Sequence, residues 1–196
     1  MKKIIHITFL FFFLLSCKEN FTPKPYGYLR VKLPNEHSYQ KSDKSLPFSV
    51  DYSKYAKWEV LKVAEKSREN SLWYNVHYQK YDAKIHLSYI PIQNNLDSLL
   101  EESYEFVFGH TVRADAIDER VFNRKDDNVY GVIFDLKGNT ASNMEFWATD
   151  SLTHFLRGAL YIESTPNIDS LFPVIEYVKK DIVHIVNTLE WNAINN

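Results

Sequence analysis

The 196-residue chain has one cysteine, five glycines and no surplus of basic charge. A single thiol excludes an intramolecular disulfide framework and any zinc site built from several cysteines. Five glycines leave little room for a glycine-rich phosphate loop, and neither that motif nor a nucleophile elbow is present. With 23 Lys and Arg against 25 Asp and Glu, the formal charge is −2, which gives no electrostatic footprint for nucleic acid.

Aromatic side chains, by contrast, are abundant, with 13 Phe, 13 Tyr and 4 Trp. Each of them buries a large area, so an aromatic-rich core is feasible at this length. The overall composition, 45 % apolar and 24 % charged, is typical of a globular protein and excludes wholesale disorder.

One long apolar run lies at the N-terminus. Ile4–Leu15 follows Lys2 and Lys3 and is shorter than the roughly 20 apolar residues that a membrane-spanning helix needs. Its length and its positive flank are typical of a secretory signal peptide. The run ends in LLSC (residues 14–17), which resembles a bacterial lipobox because an aliphatic residue lies three positions before the cysteine and a small residue directly before it.

The lipobox resemblance implies a lipoprotein signal peptide over residues 1–16 and lipidation of Cys17, with acyl chains such as palmitate as the membrane anchor. Each buried CH₂ of such chains contributes about 0.8 kcal/mol to membrane binding. Residues 17–25 would then be a lipidated tether whose prolines favour extended polyproline II, and residues 26–196 a single α+β periplasmic domain. An uncleaved anchor, or an ordinary signal peptide with an incidental cysteine, is the alternative.

Strand-like alternation dominates the middle of the chain. We expect two hairpins, other short strands, and a first strand packed on as an edge. The hairpins are predicted at 72–79 with 83–90 and at 116–123 with 129–137, further strands at 48–52, 58–63, 144–149 and 155–162, and the edge strand at 26–33, before a polar loop at 35–45.

Helical spacing of apolar residues predicts two helices. The first runs from Asn94 or Asn95 to Phe108, and the second, near the C-terminus, begins at a cap at Asp169 or Ser170. The polar residues of the second helix, Asp181 among them, are expected on the side away from the core. The predicted fold class is therefore α+β, a mostly antiparallel sheet packed with two main helices, and it resembles a PsbP-like sandwich at the level of the fold.

The densest mixed polar cluster is GHTVRADA, directly after the first helix. Its His110, Arg113 and Asp115 could support acid–base chemistry, since an aspartate can orient a histidine. No serine or cysteine partner is evident, so a hydrogen-bonded lock at the end of the helix, or a polar interaction cluster, is the favoured interpretation. We therefore predict no catalytic residues, no cofactor and no metal.

The first predicted hairpin also carries a pair of histidines and a group of aromatic residues. His77 and His86 lie on the first predicted hairpin, but two ligands without a third are weak evidence for a metal site. Trp73 and Tyr74 are adjacent, so one of them points outward on a strand. With Tyr78, Tyr81 or Tyr89, the outward residue could form a protein-binding patch, because aromatic residues are favoured at interfaces.

Several segments resemble one family along nearly the whole mature chain. They are FTPKPYGYLRVKLP (21–34) directly after the lipobox, LPFSVDYSKYA (46–56), IHLSYIPI (85–92), FGHTVRADAI (108–117) and TLEW (188–191). Together they resemble the GldD gliding-motility lipoproteins of Bacteroidetes.

The resemblance implies a cell-envelope lipoprotein of gliding motility, associated with the type IX secretion system and without catalytic activity. Its expected partners are the membrane, through the lipid anchor, and other gliding or secretion proteins of the envelope. The periplasmic face of the outer membrane is the expected location. The alternative is a periplasmic hydrolase or small-ligand-binding lipoprotein that uses the His110 region.

Overall fold

The computed structural model describes residues 31–62, 70–109, 113–163 and 168–193. Within this part of the chain lie two α-helices, α1 (Leu96–Phe108) and α2 (Ile168–Thr188). The strands are β1 (Tyr39–Lys41), β2 (Phe48–Ser49), β3 (Asp51–Ser53), β4 (Lys57–Leu61), β5 (Leu72–Tyr78), β6 (Ala83–Pro91), β7 (Ala114–Arg124), β8 (Val129–Gly138), β9 (Ser142–Thr149), β10 (His154–Ile162) and β11 (Glu190–Trp191).

Seven strands form one antiparallel sheet in the order β4-β5-β6-β10-β9-β8-β7. Strand β6 leads through α1 to β7, so the chain crosses from the middle of the sheet to one edge. Two small ribbons, β1 with β3 and β2 with β11, complete the strand pairing of the described residues. The predicted α+β class, with a mostly antiparallel sheet, two helices and a long C-terminal helix, is confirmed.

Both predicted hairpins form, and each turns through a short 3₁₀ segment. The first ends at Asp82 and the second at Asn128, and both residues adopt the left-handed backbone conformation. Asp and Asn tolerate this conformation better than other non-glycine residues do. The local sequence therefore fixes the register, with Tyr78 opposite Ala83 and Arg124 opposite Val129.

The helices cover opposite faces of the sheet. Helix α2 packs Val178 and Ile182 into the main core, together with Ile133 of β8. Helix α1 packs Val107 against Val132 of the same strand. Because successive strand residues point to opposite faces, Val132 and Ile133 place the two helices on different sides. The result is a helix–sheet–helix arrangement of three layers.

Element boundaries depart from the prediction in a few places. The expected strand at 48–52 is two strands, β2 and β3, which pair with different partners, and the predicted polar loop contains β1. Residues 26–30 of the expected edge strand lie outside the described residues, and Val31–Leu33 form no strand. Val31 and Leu33 nevertheless pack against the core.

Helix α2 begins at Ile168, earlier than the caps expected at Asp169 or Ser170. Pro173 therefore lies in the second turn of the helix. None of the helices in the described residues is long and apolar enough to cross a lipid bilayer.

Candidate functional site

Helix α1 leaves part of its sheet face uncovered. Its contacts lie with β8, with Ile90 at the end of β6 and with Phe155 at the start of β10. Beside it, over β5, β6, β9 and β10, lies a pocket of about 350 Å³. We call this the sheet-face pocket, defined by Trp73, His86, Ser88, Phe106, Glu145, Arg157 and Tyr161.

Strand register explains why these side chains meet. His86 of β6 lies opposite Ala159 of β10, which in turn lies opposite Glu145 of β9. In the neighbouring row, Ser88 of β6 lies between Trp73 of β5 and Arg157 of β10. The pocket is therefore lined by alternate residues of four adjacent strands.

Opposite charges meet in the pocket. Glu145 of β9 is 3 % exposed, as little as the apolar side chains of the core. The guanidinium carbon of Arg157 lies 4.2 Å from the centroid of the Phe106 ring, which is a cation–π geometry. Burial raises the pKa of Tyr161, the charge of Glu145 raises it further, and Arg157 opposes that rise. Since both charges act on one hydroxyl, they share the same small space.

The uncharged polar groups of the pocket stay neutral at pH 7. Burial, with a smaller contribution from Lys84, lowers the pKa of His86 below its usual range. The imidazole lies edge-on to the Tyr161 ring, with 5.1 Å between the two centroids. Neutral His86, together with the hydroxyls of Tyr161 and Ser88, can both donate and accept hydrogen bonds.

Asn75 adds a buried amide beside the pocket. It lies on β5 directly opposite His86 and is buried. Its Oδ1 has no hydrogen-bond partner among the described residues. A buried acceptor without a donor carries a desolvation cost.

A second polar cluster lies on the other side of the sheet. Asp181 of α2 is fully buried and accepts hydrogen bonds from His37 Nδ1 at 2.5 Å, Tyr39 OH at 2.9 Å and Tyr78 OH at 2.7 Å. We call these four residues the Asp181 clasp. The expectation that Asp181 lies on the side of the helix away from the core is wrong.

Stacked rings surround the clasp. Tyr39 stacks on His184 with 3.5 Å between centroids, and His37 stacks on Tyr177 at 4.2 Å. Burial and the charge of Asp181 raise the pKa of Tyr177 to about 12, so its hydroxyl is protonated at neutral pH. The same two causes raise the pKa values of Tyr39 and Tyr78. The clasp thus joins the chain at 37–39 to α2 through hydrogen bonds to one carboxylate.

Of the residues predicted as sites, the structure describes Arg113 and Asp115, and both lie beside Gly138. Cys17 and His110 lie outside the described residues. Arg113 and Asp115 are exposed. Asp115 lies against the end of β8, where a Cβ on Gly138 would come within 2.9 Å of its backbone nitrogen, and Gly138 has a φ of +100°.

The other two candidate patterns have separate outcomes. His77 pairs with Lys84 and not with His86, and no group of three metal-ligating side chains occurs among the described residues. Trp73 is exposed and Tyr74 is buried, as alternation predicts. The proposed aromatic patch is wrong in part, because Tyr78 and Tyr89 are buried in the core.

Sequence reasoning missed Glu145, Arg157 and the buried position of Asp181. Asp181 interrupts an apolar pattern, because it falls at helical spacing from Val178 and Ile185. A charge at such a core position was an available signal, since charged residues are almost never fully buried unless paired. Glu145 and Arg157 alternate with apolar neighbours as residues of a solvent-facing strand side do, so local sequence carries no sign of their burial.

The comparison with family models gives one match. The model described as gliding motility lipoprotein GldD matches residues 18–191. That range includes every residue of the sheet-face pocket and of the Asp181 clasp. No curated protein matched the chain.

Proposed function

Because the chain belongs to the GldD family of gliding motility lipoproteins, we propose that it is a non-enzymatic accessory factor that contacts other envelope proteins of gliding and type IX secretion. The family match over residues 18–191 carries this proposal. A lipoprotein family implies membrane anchoring and association with the cell envelope, and this one is not a known enzyme family.

Lipidation of Cys17 is part of the proposal. The leader over residues 1–16, the LLSC sequence and the start of the family match at residue 18 all support it. Residues 17–25 then form a tether to a domain over residues 26–196. The proposed location is the periplasmic face of the outer membrane.

Hydrogen bonds attach the segment that follows the tether to the folded domain. The carbonyl of Lys32 accepts hydrogen bonds from Tyr81 OH at 3.0 Å and Lys80 Nζ at 3.2 Å. A few residues later, His37 and Tyr39 bind Asp181. Tension between the membrane and a bound partner would therefore pass into α2 and the sheet and not into a loose end.

Exposed aromatic side chains support the role in protein contacts. Phe106 and Phe108 on α1 are 49 % and 44 % exposed, and Trp73 on β5 is 44 % exposed. Aromatic residues are enriched in protein interfaces relative to other surface residues. These three side chains replace the predicted patch of Tyr78 and Tyr89 as the proposed contact surface.

Complementation of a deletion strain tests the function. Deletion is expected to abolish colony spreading and secretion of a type IX cargo, and the wild-type gene to restore both. Arg113→Ala and Asp115→Ala, at exposed positions, should restore both as well as the wild-type gene does. Normal spreading and secretion in the deletion strain would contradict the proposal.

The alternative is a hydrolase or small-ligand-binding protein that uses His110, Arg113 and Asp115. Neither Arg113 nor Asp115 lines the sheet-face pocket or three other cavities with described walls. Loss of spreading in a folded Asp115→Ala strain would favour this alternative over the accessory role.

A further inference from the structure

The size of the sheet-face pocket limits what it can hold. Ligand sites in proteins have volumes of roughly 300 to 1,000 Å³, and this pocket, at about 350 Å³, is at the lower end. A ligand of one or two rings fits such a volume. A folded partner can reach only the rim.

The charges of the pocket limit the net charge of a ligand. Glu145 and Arg157 are both in the wall, so their charges offset each other. An anion attracted by Arg157 would also meet the Glu145 carboxylate, and a cation would meet the Arg157 guanidinium. Like charges brought this close in a partly buried site repel strongly. A ligand without net charge is therefore favoured.

The hydrogen-bonding groups favour a ligand rich in hydroxyls. Glu145 only accepts and Arg157 only donates, whereas His86, Ser88 and Tyr161 can do both. A hydroxyl also donates and accepts, so it can pair with every one of these groups. An apolar ligand would displace water from His86, Ser88 and Tyr161 and would offer them no hydrogen bond in return.

The rim supplies an apolar platform. Trp73 and Phe106 are both about half-exposed and line the pocket from β5 and from α1. The face of a hydroxylated ring carries C–H groups that pack on an aromatic face. Arg157 already covers one face of Phe106, so Trp73 is the aromatic platform at the mouth, above the polar groups of the floor.

We propose that the sheet-face pocket binds a neutral sugar of one or two rings, with Glu145 and Arg157 pairing to its hydroxyls and Trp73 stacking on its face. The inference goes beyond the accessory role and does not depend on it. A sugar of the cell envelope would give the tethered protein a second, non-protein contact.

Calorimetric titration of the full-length lipoprotein tests this inference. The protein is purified in lauryldimethylamine oxide, because a detergent with a sugar headgroup would compete. The probes are the methyl glycosides of glucose, galactose, mannose and N-acetylglucosamine, at up to about 10 mM, so that a Kd of about 1 mM gives visible saturation. Saturable binding of at least one glycoside is expected, and glycine serves as a zwitterionic comparison.

Variants connect the binding to the pocket. Glu145→Gln and Trp73→Ala should each weaken binding by about tenfold or more. Glu119→Gln is the matched control for Glu145→Gln. Glu119 lies on β7 on the same face of the sheet, because both Glu119 and Glu145 pair with Phe134 of β8. Unlike Glu145, it is exposed and does not line the pocket. The affinity of this control variant should equal that of the wild type.

Two results would overturn the inference: no saturable binding of any of the four glycosides, whether or not glycine binds, or equal affinities in the wild type and the Trp73→Ala variant. Trp73 is half-exposed, so its replacement decides the question even where Glu145→Gln fails to fold. Circular dichroism establishes which variants are folded.

Discussion

At the scale of single residues, one buried carboxylate holds together parts of the chain that are far apart in sequence. Asp181 accepts hydrogen bonds from His37, Tyr39 and Tyr78, which lie in a loop and in strands β1 and β5. Hydrogen bonds to a charged acceptor are stronger than those between neutral groups. The clasp is therefore expected to contribute more to stability than exposed ion pairs of the same protein.

Asp181→Asn tests this contribution. The amide nitrogen of Asn would face either Tyr78 OH or the His37 and Tyr39 donors, so a donor would meet a donor. We expect the free energy of unfolding in urea to fall by about 2–4 kcal/mol. Asp135→Asn is the control, because Asp135 pairs with Lys179 of the same helix at 2.6 Å but is partly exposed.

The free energy of unfolding should fall by less than about 1 kcal/mol in the Asp135→Asn variant. Equal losses in the two variants would show that burial of Asp181 adds nothing to its interactions.

Buried histidines give stability a pH dependence. Burial lowers the pKa values of His86 and His154, with Asp150 opposing the shift at His154. In the unfolded chain their pKa is about 6.5. The contribution of these neutral histidines to stability is therefore complete above about pH 6.5. It decreases as the pH falls from there towards their pKa values in the folded state.

We expect the urea midpoint to fall between about pH 7.5 and pH 5.5, and to fall less steeply in His154→Gln. The slope with pH is the measured quantity, because the variant also loses the stacking of His154 on Trp191 and so starts from a lower midpoint. A midpoint that rises on acidification would contradict the burial of neutral histidines.

At the scale of elements, the C-terminus of α2 is held by a side chain from another strand. Nη1 of Arg124, the last residue of β7, donates to the carbonyls of Val186 and Leu189 at 2.9 Å each. The last carbonyls of a helix have no partner within the helix. Arg124 supplies one and joins the edge of the sheet to the core helix.

Arg124→Lys should break this link although the charge is kept. Lysine carries a compact ammonium in place of the planar guanidinium, so it cannot reproduce the same contacts. We expect the free energy of unfolding in urea to fall by about 1.5–3 kcal/mol, and amide hydrogen exchange in the last turn of α2 to become faster. Arg120→Lys, at an exposed position of the same strand, is the control and should leave both unchanged.

The elements that sequence predicts well are those with a repeated pattern. Both hairpins and α1 follow from alternation or helical spacing over many residues. Strand β1, three residues of Tyr, Gln and Lys, has no such pattern and exists because β3 pairs with it. The prediction for Asp181 is wrong because it relied on the charge of the side chain. The spacing of Asp181 from Val178 and Ile185 places it on the core side of α2.

The sheet-face pocket could not be predicted because it depends on strand order. Glu145 lies on β9, Arg157 on β10 and His86 on β6. These three side chains come close only because β10 lies between β9 and β6 in the sheet. That order is set by tertiary packing and by the crossover through α1. Local sequence shows which residues share a face of one strand, but not which strand comes next.

At the scale of the whole molecule, we propose that a lipid-anchored N-terminus is attached to the helix–sheet–helix body. The family supplies the anchoring and the link to gliding. The described structure supplies the attachment of the chain at 31–39 to the core, and a separate face with exposed aromatic residues. The proposed contact surface therefore belongs to the same folded unit as the segment that follows the proposed anchor.

Cys17→Ser tests the anchor. Without the thiol, no thioether to a lipid can form, so the protein should lose palmitate labelling and leave the membrane fraction. Spreading of the strain should be lost even though the domain folds. Retention of label and membrane association by the variant would contradict the lipidation of Cys17.

The most direct test of the central claim is affinity purification of the intact lipoprotein from cross-linked membranes, with identification of the proteins that copurify. The account predicts that envelope proteins of gliding and type IX secretion are recovered, and that Phe108→Asp on the exposed face of α1 reduces their recovery. Purification of the lipoprotein without any of these proteins would contradict it.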